Sequence, residues 1–268
     1  DKYFTWSPDS KWLLADFDKL LNNSDVILLD ASGEQPMRTL VPSGYYDVTP
    51  QWVNEGKQMI WLSNRNGLKS YATSGSTEYD VYSMFFTRDA WDQYNLSKED
   101  YELKKAIEEA AKKKDGDADS DEDEDEKEEE KDNILNFDWD GIDDRVARLT
   151  IHSSRIGDAV LSKDAGKLYY LARFEKGFNL WSTDLRTKET KIALSLDASS
   201  GNLMWDKDME NLYLLSSGRI AKIDPEKGTQ KTISISSETT LDGDAERAAM
   251  FEHIVLRTSK IFYEPTFH

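Results

Sequence analysis

The sequence contains no cysteine, only three histidines and only six prolines in 268 residues. Without cysteine there can be no disulfide, no thiolate nucleophile and no cysteine metal site, so the redox state of its compartment is not indicated. The histidines His152, His253 and His268 are dispersed, and none has a second His or Glu at the spacing of a zinc-binding helix. We therefore expect no zinc-dependent hydrolysis, no bound metal and no other cofactor.

Long hydrophobic runs are missing too. No apolar stretch reaches the roughly 18 residues that a membrane-spanning helix needs, and residues 1–10 lack the basic and then apolar pattern of a signal peptide. The 52 acidic side chains outnumber the 34 basic ones and give a formal net charge of -18, which opposes binding to a phosphate backbone. We expect neither a membrane nor a nucleic acid as a partner.

Motifs of nucleophilic catalysis and of phosphate binding are also missing. No Gly-x-Ser-x-Gly elbow occurs, and Ser74-Gly75-Ser76 lies in a Gly/Ser loop instead of a strand-to-helix turn. No glycine loop suits a phosphate, and paired carboxylates carry little information in so acidic a chain. The sequence predicts no catalytic, cofactor-binding or metal-binding residue in this chain.

What the sequence does have is eight Trp, twelve Tyr and ten Phe, in a pattern that repeats four times. Each unit opens with a strand and a polar tight turn, at 4–11, 51–57, 160–167 and 204–211. Apolar second strands follow at 12–17, 58–62, 168–172 and 212–215, and third strands at 25–30, 80–84, 179–184 and 219–224. More polar fourth strands close the units at 37–41, 146–151, 190–194 and 229–235.

The spacing of the units indicates a β-propeller. Trp6 and Trp52 are 46 residues apart, and Leu161 and Met204 are 43 apart, which is about the length of one four-stranded blade. A β-sandwich also has turn signals at short spacing, but it does not need the same turn chemistry at the same phase four times. We predict an all-β fold, a β-propeller of about four blades over residues 1–237.

The number of blades favours an open arc over a closed ring. Closed propellers have about four to eight blades, so four is the lower limit. We also expect the chain to start inside a blade, with residues 3–7 lacking a preceding inner strand. Both features predict that the four blades are part of a larger ring.

Residues 88–145 interrupt the second unit before its fourth strand. Ser97 with Asp100 gives a helix start signal, and the apolar spacing that follows predicts a helix over 98–114. The acidic run 115–132 comes next. Its residues 115–126 partly fit a calcium loop, but Ser120 replaces the turn glycine and Glu122 replaces the usual hydrophobic residue, so we favour a solvated charge run.

Two further segments carry structural signals. Residues 137–145 combine aromatic residues with Asp and Gly; their acids could bind a cation or a substrate amine, but we favour a turn. The blade pattern stops after residue 235, and 244–257 is predicted to be a helix with Ala248, Phe251, Ile254 and Val255 on or near one face. Residues 238–268 are therefore expected to form a linker and the start of a helical domain.

Several of these segments together resemble the second-propeller region of tricorn-type serine peptidases, especially the large bacterial tricorn-like ones. The segments are 43–47, 80–87, the acidic insertion, 139–145, 171–177, 245–254 and 262–268. The resemblance covers almost the whole chain. It implies a parent protein with two propellers, a helical domain, a PDZ-like domain and a Ser-based peptidase domain, whose catalytic residues have no matching positions in this chain.

The resemblance also implies a function. In that family the propellers gate or channel peptides or unfolded polypeptides toward an enclosed active site, with the other domains of the peptidase as partners and a homo-oligomer formed through the full-length protein. It implies a periplasmic location, with the cytoplasm as the alternative. A stand-alone TolB-like propeller that binds protein partners through its loops is a second hypothesis. A propeller enzyme related to prolyl oligopeptidase is a third, and it needs a hydrolase domain in the same chain. We expect no peptide turnover by this chain.

Overall fold

The computed structural model describes residues 3–20, 23–70, 76–116 and 135–263. Its strands form four four-stranded antiparallel sheets, each a meander in chain order. Blade 1 contains β1 (Phe4–Trp6), β2 (Trp12–Leu20), β3 (Asn23–Asp30) and β4 (Arg38–Val41), and blade 2 contains β5 (Asp47–Val53), β6 (Gln58–Ser63), β7 (Asp80–Phe85) and β8 (Val146–Arg148). Blade 3 contains β9 (Arg155–Leu161), β10 (Lys167–Arg173), β11 (Phe178–Asp184) and β12 (Thr190–Ala198), and blade 4 contains β13 (Asn202–Trp205), β14 (Leu212–Ser216), β15 (Arg219–Asp224) and β16 (Thr229–Thr232).

The predicted all-β propeller of four four-stranded blades is confirmed. One detail of the prediction is wrong, because blade 1 lacks no strand. Residues Phe4–Trp6 pair with β2, with Thr5 opposite Leu14, and so form the first strand of that sheet. The turn signal at Ser7 follows this strand directly, as it does in the other blades.

The first turn of each blade explains the repeat in the sequence. In blade 1, Asp9 Oδ1 accepts hydrogen bonds from Ser7 Oγ (2.5 Å) and from the Lys11 amide (3.1 Å). In blade 3, Asp164 Oδ1 accepts the same two bonds, from Ser162 Oγ and the Gly166 amide. One position of this turn has a positive φ in all four blades, at Ser10, Gly56, Ala165 and Met209. A short polar turn therefore recurs at the same place in each blade, although Asn54 and Glu55 of blade 2 also have positive φ. Polar residues that bond to their own backbone favour such a turn.

In blades 2 and 3, a polar residue near the start of the third strand holds the segment that leads to the next blade. Asp80, the first residue of β7, is fully buried. Its carboxylate accepts from Thr150 Oγ1 and from Ser153 Oγ, each at 2.8 Å, and pairs with Arg148 at 2.8 Å. In blade 3 the equivalent residue, Asn179, accepts the amides of residues 196 and 197.

Apolar cores lie between consecutive sheets. Leu14, Leu28 and Trp61 belong to the cluster between blades 1 and 2. A second cluster joins blades 2 and 3, and a third joins blades 3 and 4. Two tryptophans add polar links between sheets, because Trp52 Nε1 donates to Thr5 O (3.2 Å) and Trp205 Nε1 donates to Leu161 O (2.7 Å).

The outer faces of the two terminal sheets remain apolar and exposed. Phe4 and Trp6 of blade 1 are 60% and 54% exposed, and Met204 and Leu215 of blade 4 are 69% and 49% exposed. Within the four described ranges, no core cluster joins blade 4 to blade 1. The four blades therefore form an arc with three internal interfaces.

The insertion in blade 2 is helical at its start. α1 (Arg88–Asn95) and α2 (Lys98–Gly116) follow β7. The predicted helix over 98–114 is confirmed as α2, whereas α1 was not predicted. Thr87 caps α1 by accepting the Ala90 amide at 3.2 Å.

Residues 234–268 form a second compact unit, separate from the unit of residues 1–233. The sequence-based boundary at 237/238 lies a few residues further along the chain. The second unit contains α3 (Gly243–Ile261), capped by Asp242, which accepts the amides of Asp244 and Ala245. The helix predicted over 244–257 is confirmed. No helix in the described part of the chain is long and apolar enough to cross a membrane.

Candidate functional site

The first and third connections of every blade lie at the same end of its sheet, since the strands form antiparallel meanders. The insertion is the third connection of blade 2. It therefore lies at the same end as the polar first turns of blades 1, 2 and 3. We call this end of the sheets the insertion end.

The last part of the insertion fills the groove between blades 1 and 2 at this end. We call residues 135–139 the plug segment. The ring of Phe137 lies 5.3 Å from the ring of Trp12, 6.4 Å from that of Trp52 and 5.1 Å from that of Phe86. The Leu135 amide donates to Asp9 Oδ2 at 3.1 Å. The protein's own chain thus shows what kind of ligand an inter-blade groove accepts, namely an extended segment with an inserted aromatic side chain.

One buried arginine holds the plug segment in place. Arg145 is only 5% exposed, and its guanidinium donates to the carbonyl oxygens of Phe85 (3.1 Å), Asp140 (2.9 Å) and Asp138. The carboxylates of Asp138 and Asp140 both bond to Arg88. Gly141 has a φ of 67° and opens a short 3-10 helix over Ile142–Asp144. The structure thus forms the predicted turn over 137–145, and two of its acids, Asp138 and Asp140, bond to Arg88.

The helices α1 and α2 are held on blade 3 by Arg186, a contact that the sequence did not indicate. Its guanidinium donates to the carbonyl oxygens of Tyr94 and Leu96 and lies 4.4 Å from the centre of the Tyr101 ring. Lys188 Nζ adds a bond of 2.9 Å to Tyr94 Oη. Partial burial lowers the pKa of Arg186. The five-residue turn between β11 and β12 therefore anchors the helical insertion of the preceding blade.

A polar cleft of about 850 Å³ lies between these helices and the first turns of blades 2 and 3. Its charged lining residues have both signs; they are Glu55, Lys57, Asp89, Lys104, Lys105, Asp138 and Asp164. Asn54 and Gln93 add amide groups. Such a lining suits a polar and extended ligand with charges of both signs, as a polypeptide has, better than a compact apolar molecule.

At the inner edge of the sheets a single carboxylate connects three blades. Asp158 on β9 accepts from the Leu203 amide of β13 (2.7 Å) and from Gln51 Nε2 of β5 (3.4 Å). Burial raises the pKa of Asp158, although the amides of Leu203 and Ala159 act in the other direction. Burial also raises the pKa of Tyr3, and the charge of Asp158 adds to this shift. An acid inside the apolar segment 156–160 was the sequence signal for such a buried anchor.

At the opposite end of blade 2, Asp47 organises the loop after β6. Its carboxylate is fully buried and accepts from Trp61 Nε1 (2.8 Å) and from Arg65 (3.2 Å). The Arg65 guanidinium lies 4.5 Å from the centre of the Tyr82 ring, and Asn66 Nδ2 donates to Tyr82 Oη. These contacts link Trp61, Asp47, Arg65, Tyr82 and Asn66 in one chain. The cluster therefore fixes the loop after β6.

The histidines belong to different segments of the chain. His152 is exposed between β8 and β9, His253 is exposed on α3, and His268 lies outside the described residues. Within residues 3–20, 23–70, 76–116 and 135–263, no group of three or more His, Asp or Glu side chains could hold a metal ion. Residues 117–134 also lie outside the described ranges, so the calcium-loop match at 115–126 and the nature of the acidic run 115–132 stay predictions.

Solved structures with a similar fold include peptidases and TolB proteins. A tricorn protease matches 98% of this chain and 25% of its own, with a TM-score of 0.63 and 11% identity. A putative TolB from Agrobacterium tumefaciens matches 85% of this chain and 63% of its own, with a TM-score of 0.51 and 13% identity. A puromycin hydrolase matches 87% of this chain and 30% of its own, with a TM-score of 0.51 and 12% identity.

These likenesses show the fold, a β-propeller of the kind found in tricorn protease and TolB. The chain spans 25%, 30% and 63% of the length of the tricorn protease, the puromycin hydrolase and the putative TolB. No family model matches the sequence, and no curated protein matches it. The similarity to tricorn protease covers both compact units of the chain, since it extends over 98% of the residues.

Proposed function

We propose that this chain is a non-catalytic propeller segment of a tricorn-like serine peptidase and that it gates or channels polypeptides toward a peptidase domain elsewhere in the parent protein. The observation that carries the proposal is the fold similarity to tricorn protease over 98% of the chain at a TM-score of 0.63. The sequence resemblance of segments 43–47, 80–87 and 139–145 supports it independently of the backbone comparison.

The chemistry of the insertion end supports the choice of polypeptide as the ligand. Its cleft of about 850 Å³ has charges of both signs and amide groups. The neighbouring groove between blades 1 and 2 accepts an extended piece of chain through an aromatic side chain and a carboxylate. Both features fit peptides or unfolded polypeptides as partners.

The proposal includes the rest of the parent protein. Its partners are the remaining domains of the peptidase, the full-length protein forms a homo-oligomer, and its location is the bacterial periplasm. The full reading frame of the gene tests this. A peptidase domain with a serine nucleophile after residue 268, labelled by a fluorophosphonate probe in the full-length protein, is the expected result. A reading frame that ends at residue 268 would overturn the proposal.

A second candidate is a stand-alone interaction module of the TolB kind. It is favoured by the similarity to the putative TolB from Agrobacterium tumefaciens, where the match covers 63% of that chain against 25% of the tricorn protease. The two candidates differ in their ligand. Recovery of one folded protein by the isolated chain, with no affinity for unfolded polypeptide, would favour the TolB-like module.

A further inference from the structure

The groove between blades 3 and 4 at the insertion end repeats the groove that the plug segment fills between blades 1 and 2. It has a volume of about 600 Å³, within the range of ligand sites. Its floor is apolar and its rim is charged. The floor consists of Tyr169, Trp205, Met209, Ile223 and Pro225, and the rim of Lys163, Asp164, Glu210, Lys222, Asp224 and Glu226.

The strand register shows which positions of the two grooves correspond. Trp52 is opposite Met59 in blade 2, as Trp205 is opposite Leu212 in blade 4. Both indoles donate to the inner strand of the preceding blade, at Thr5 O and Leu161 O. Trp205 therefore stands where Trp52 contacts the Phe137 ring of the plug segment.

Some of the other contacts of the plug segment have counterparts as well, whereas Lys167 stands at the position of Trp12. Met84 is opposite Met59 and Ile223 is opposite Leu212, so Phe86 and Pro225 occupy equivalent positions two residues further on. In the first turns, Gly56 and Met209 share the position with a positive φ. A Cβ at Gly56 would clash with Leu135 of the plug segment, so the Met209 side chain takes the place that the Leu135 side chain has in the first groove. The floor of the groove between blades 3 and 4 thus offers an aromatic ring, a thioether and a proline ring to an incoming side chain.

The strongest correspondence is between the two turn carboxylates. Asp9 uses Oδ1 for Ser7 and Lys11 of its own turn, and Oδ2 for the Leu135 amide of the plug segment. Asp164 uses Oδ1 for Ser162 and Gly166 of its own turn. Its Oδ2 is therefore the atom equivalent to the one that accepts a backbone amide from the plug segment.

We infer that the groove between blades 3 and 4 binds an extended segment of a second polypeptide. An aromatic side chain of this segment inserts against Trp205 and Met209, and a backbone amide donates to Asp164 Oδ2. Of the four rim carboxylates, Asp224 and Glu226 already pair with Lys227 and Lys167. Asp164 and Glu210 are therefore the rim carboxylates that a Lys or Arg of the bound segment would meet. This inference gives the proposed polypeptide binding a location and rests on the proposed function.

The experiment uses a fluorescein-labelled peptide with the sequence Lys-Gly-Asn-Phe-Lys-Trp-Lys. This is the plug segment with Gly in place of its Leu, which leaves room for Met209, with Lys in place of its acid, and with a lysine added at each end. Fluorescence anisotropy measures its affinity for the chain and for two variants. Met209→Arg places a charge on the floor of the groove. Met204→Arg is the matched control, because Met204 lies on the exposed outer face of blade 4 and does not line the groove. Far-UV circular dichroism and thermal melting check that both variants fold.

We expect Met209→Arg to weaken binding by about tenfold or more, the equivalent of losing one buried apolar contact, and Met204→Arg to change it by less than about twofold. A peptide with Ala in place of Phe should lose about tenfold on the unmodified chain. Equal affinity of the two variants for the peptide, or equal binding of the Phe and Ala peptides, would overturn the inference.

A labelled unfolded polypeptide separates this inference from the proposed function. If it binds Met209→Arg and the unmodified chain equally, then the chain binds polypeptide elsewhere and the groove is not the site, while the proposed function stands. If neither the peptide nor the unfolded polypeptide binds the unmodified chain, the proposed function fails and the groove with it.

Discussion

Replacing Phe137 by alanine tests whether the plug segment is part of the core between blades 1 and 2. The ring contacts those of Trp12, Phe86 and Trp139 at 5.3, 5.1 and 4.8 Å, although Phe137 itself is only partly buried. Full truncation of a buried Phe costs about 3–5 kcal/mol, and each aromatic pair adds about 0.5–1.5 kcal/mol. With partial burial taken into account, we expect Phe137→Ala to lower the free energy of unfolding by about 2–4 kcal/mol.

Urea unfolding followed by tryptophan fluorescence measures this loss. Phe174→Ala is the control, because Phe174 is 48% exposed and has one ring contact, with Trp181 at 4.9 Å. We expect the control to lose less than about 1 kcal/mol. The plug segment is not a structural element of the groove if Phe137→Ala costs no more than Phe174→Ala. The same result would also weaken the inference about the groove between blades 3 and 4, because that inference rests on how the plug segment binds between blades 1 and 2.

Three further predictions concern the anchors of the fold. Arg186→Ala removes the contacts with Tyr94 and Leu96. Amide hydrogen exchange over residues 88–107 should therefore become at least about threefold faster. Arg155→Ala, a control at an exposed arginine, should leave the exchange rate of these residues unchanged. Asp80→Asn removes the charge that Arg148 pairs with and should cost about 2–4 kcal/mol in urea unfolding; a cost equal to that of the exposed Asp208→Asn would contradict the assigned role. Burial alone would raise the pKa of Asp9, but its bonds from Ser7, Leu135 and Lys11 lower it below 3.8 overall. The stability that Asp9 contributes is therefore complete above pH 3.8 and is lost as the pH falls through the lower pKa of the folded state. Asp9→Asn should flatten the acid side of a plot of melting temperature against pH. An unchanged acid slope would refute this.

The repeat could be predicted because each blade carries the same local signals. The turn carboxylates Asp9 and Asp164 bond to their own backbone, and Leu14 and Leu28 belong to apolar strand segments that are buried. Local turn chemistry and the apolar strands that follow each turn are visible in a sequence without any knowledge of the neighbouring blade. The helix α2 was predictable for the same reason, from the Ser97 start signal.

The contacts between blades could not be predicted in this way. Arg186 reaches Tyr94 over 92 residues of sequence, and Asp158 reaches Gln51 over 107. Nothing in the local pattern distinguishes Arg186 from an exposed arginine in a turn. The α1 helix was missed because it is short, with only eight residues, and Thr87 as its cap is a weak signal in isolation. The plug segment was predicted as a turn, but its position in a groove depends on Arg145 and on aromatic rings from two sheets.

The exposed outer faces of blades 1 and 4 bear on how the arc functions. Trp6 stands at the position of Trp52 and Trp205, which donate to the preceding blade, and it is 54% exposed. The outer face of blade 1 therefore presents a tryptophan at the position where tryptophans of blades 2 and 4 contact the preceding blade. This equivalence is what a segment of a larger ring requires, in line with the proposed place of the chain in a larger peptidase.

The most direct test of the central claim measures binding and cleavage of an unfolded polypeptide in one sample. Fluorescein-labelled, reduced and carboxymethylated α-lactalbumin is titrated with the isolated chain, its anisotropy is recorded, and its mass is then determined by mass spectrometry. If the chain is a propeller segment that binds polypeptide without cleaving it, the anisotropy should rise to saturation and the mass of the polypeptide should stay unchanged. Cleavage of the polypeptide, or no rise in anisotropy at the highest protein concentration, would contradict it.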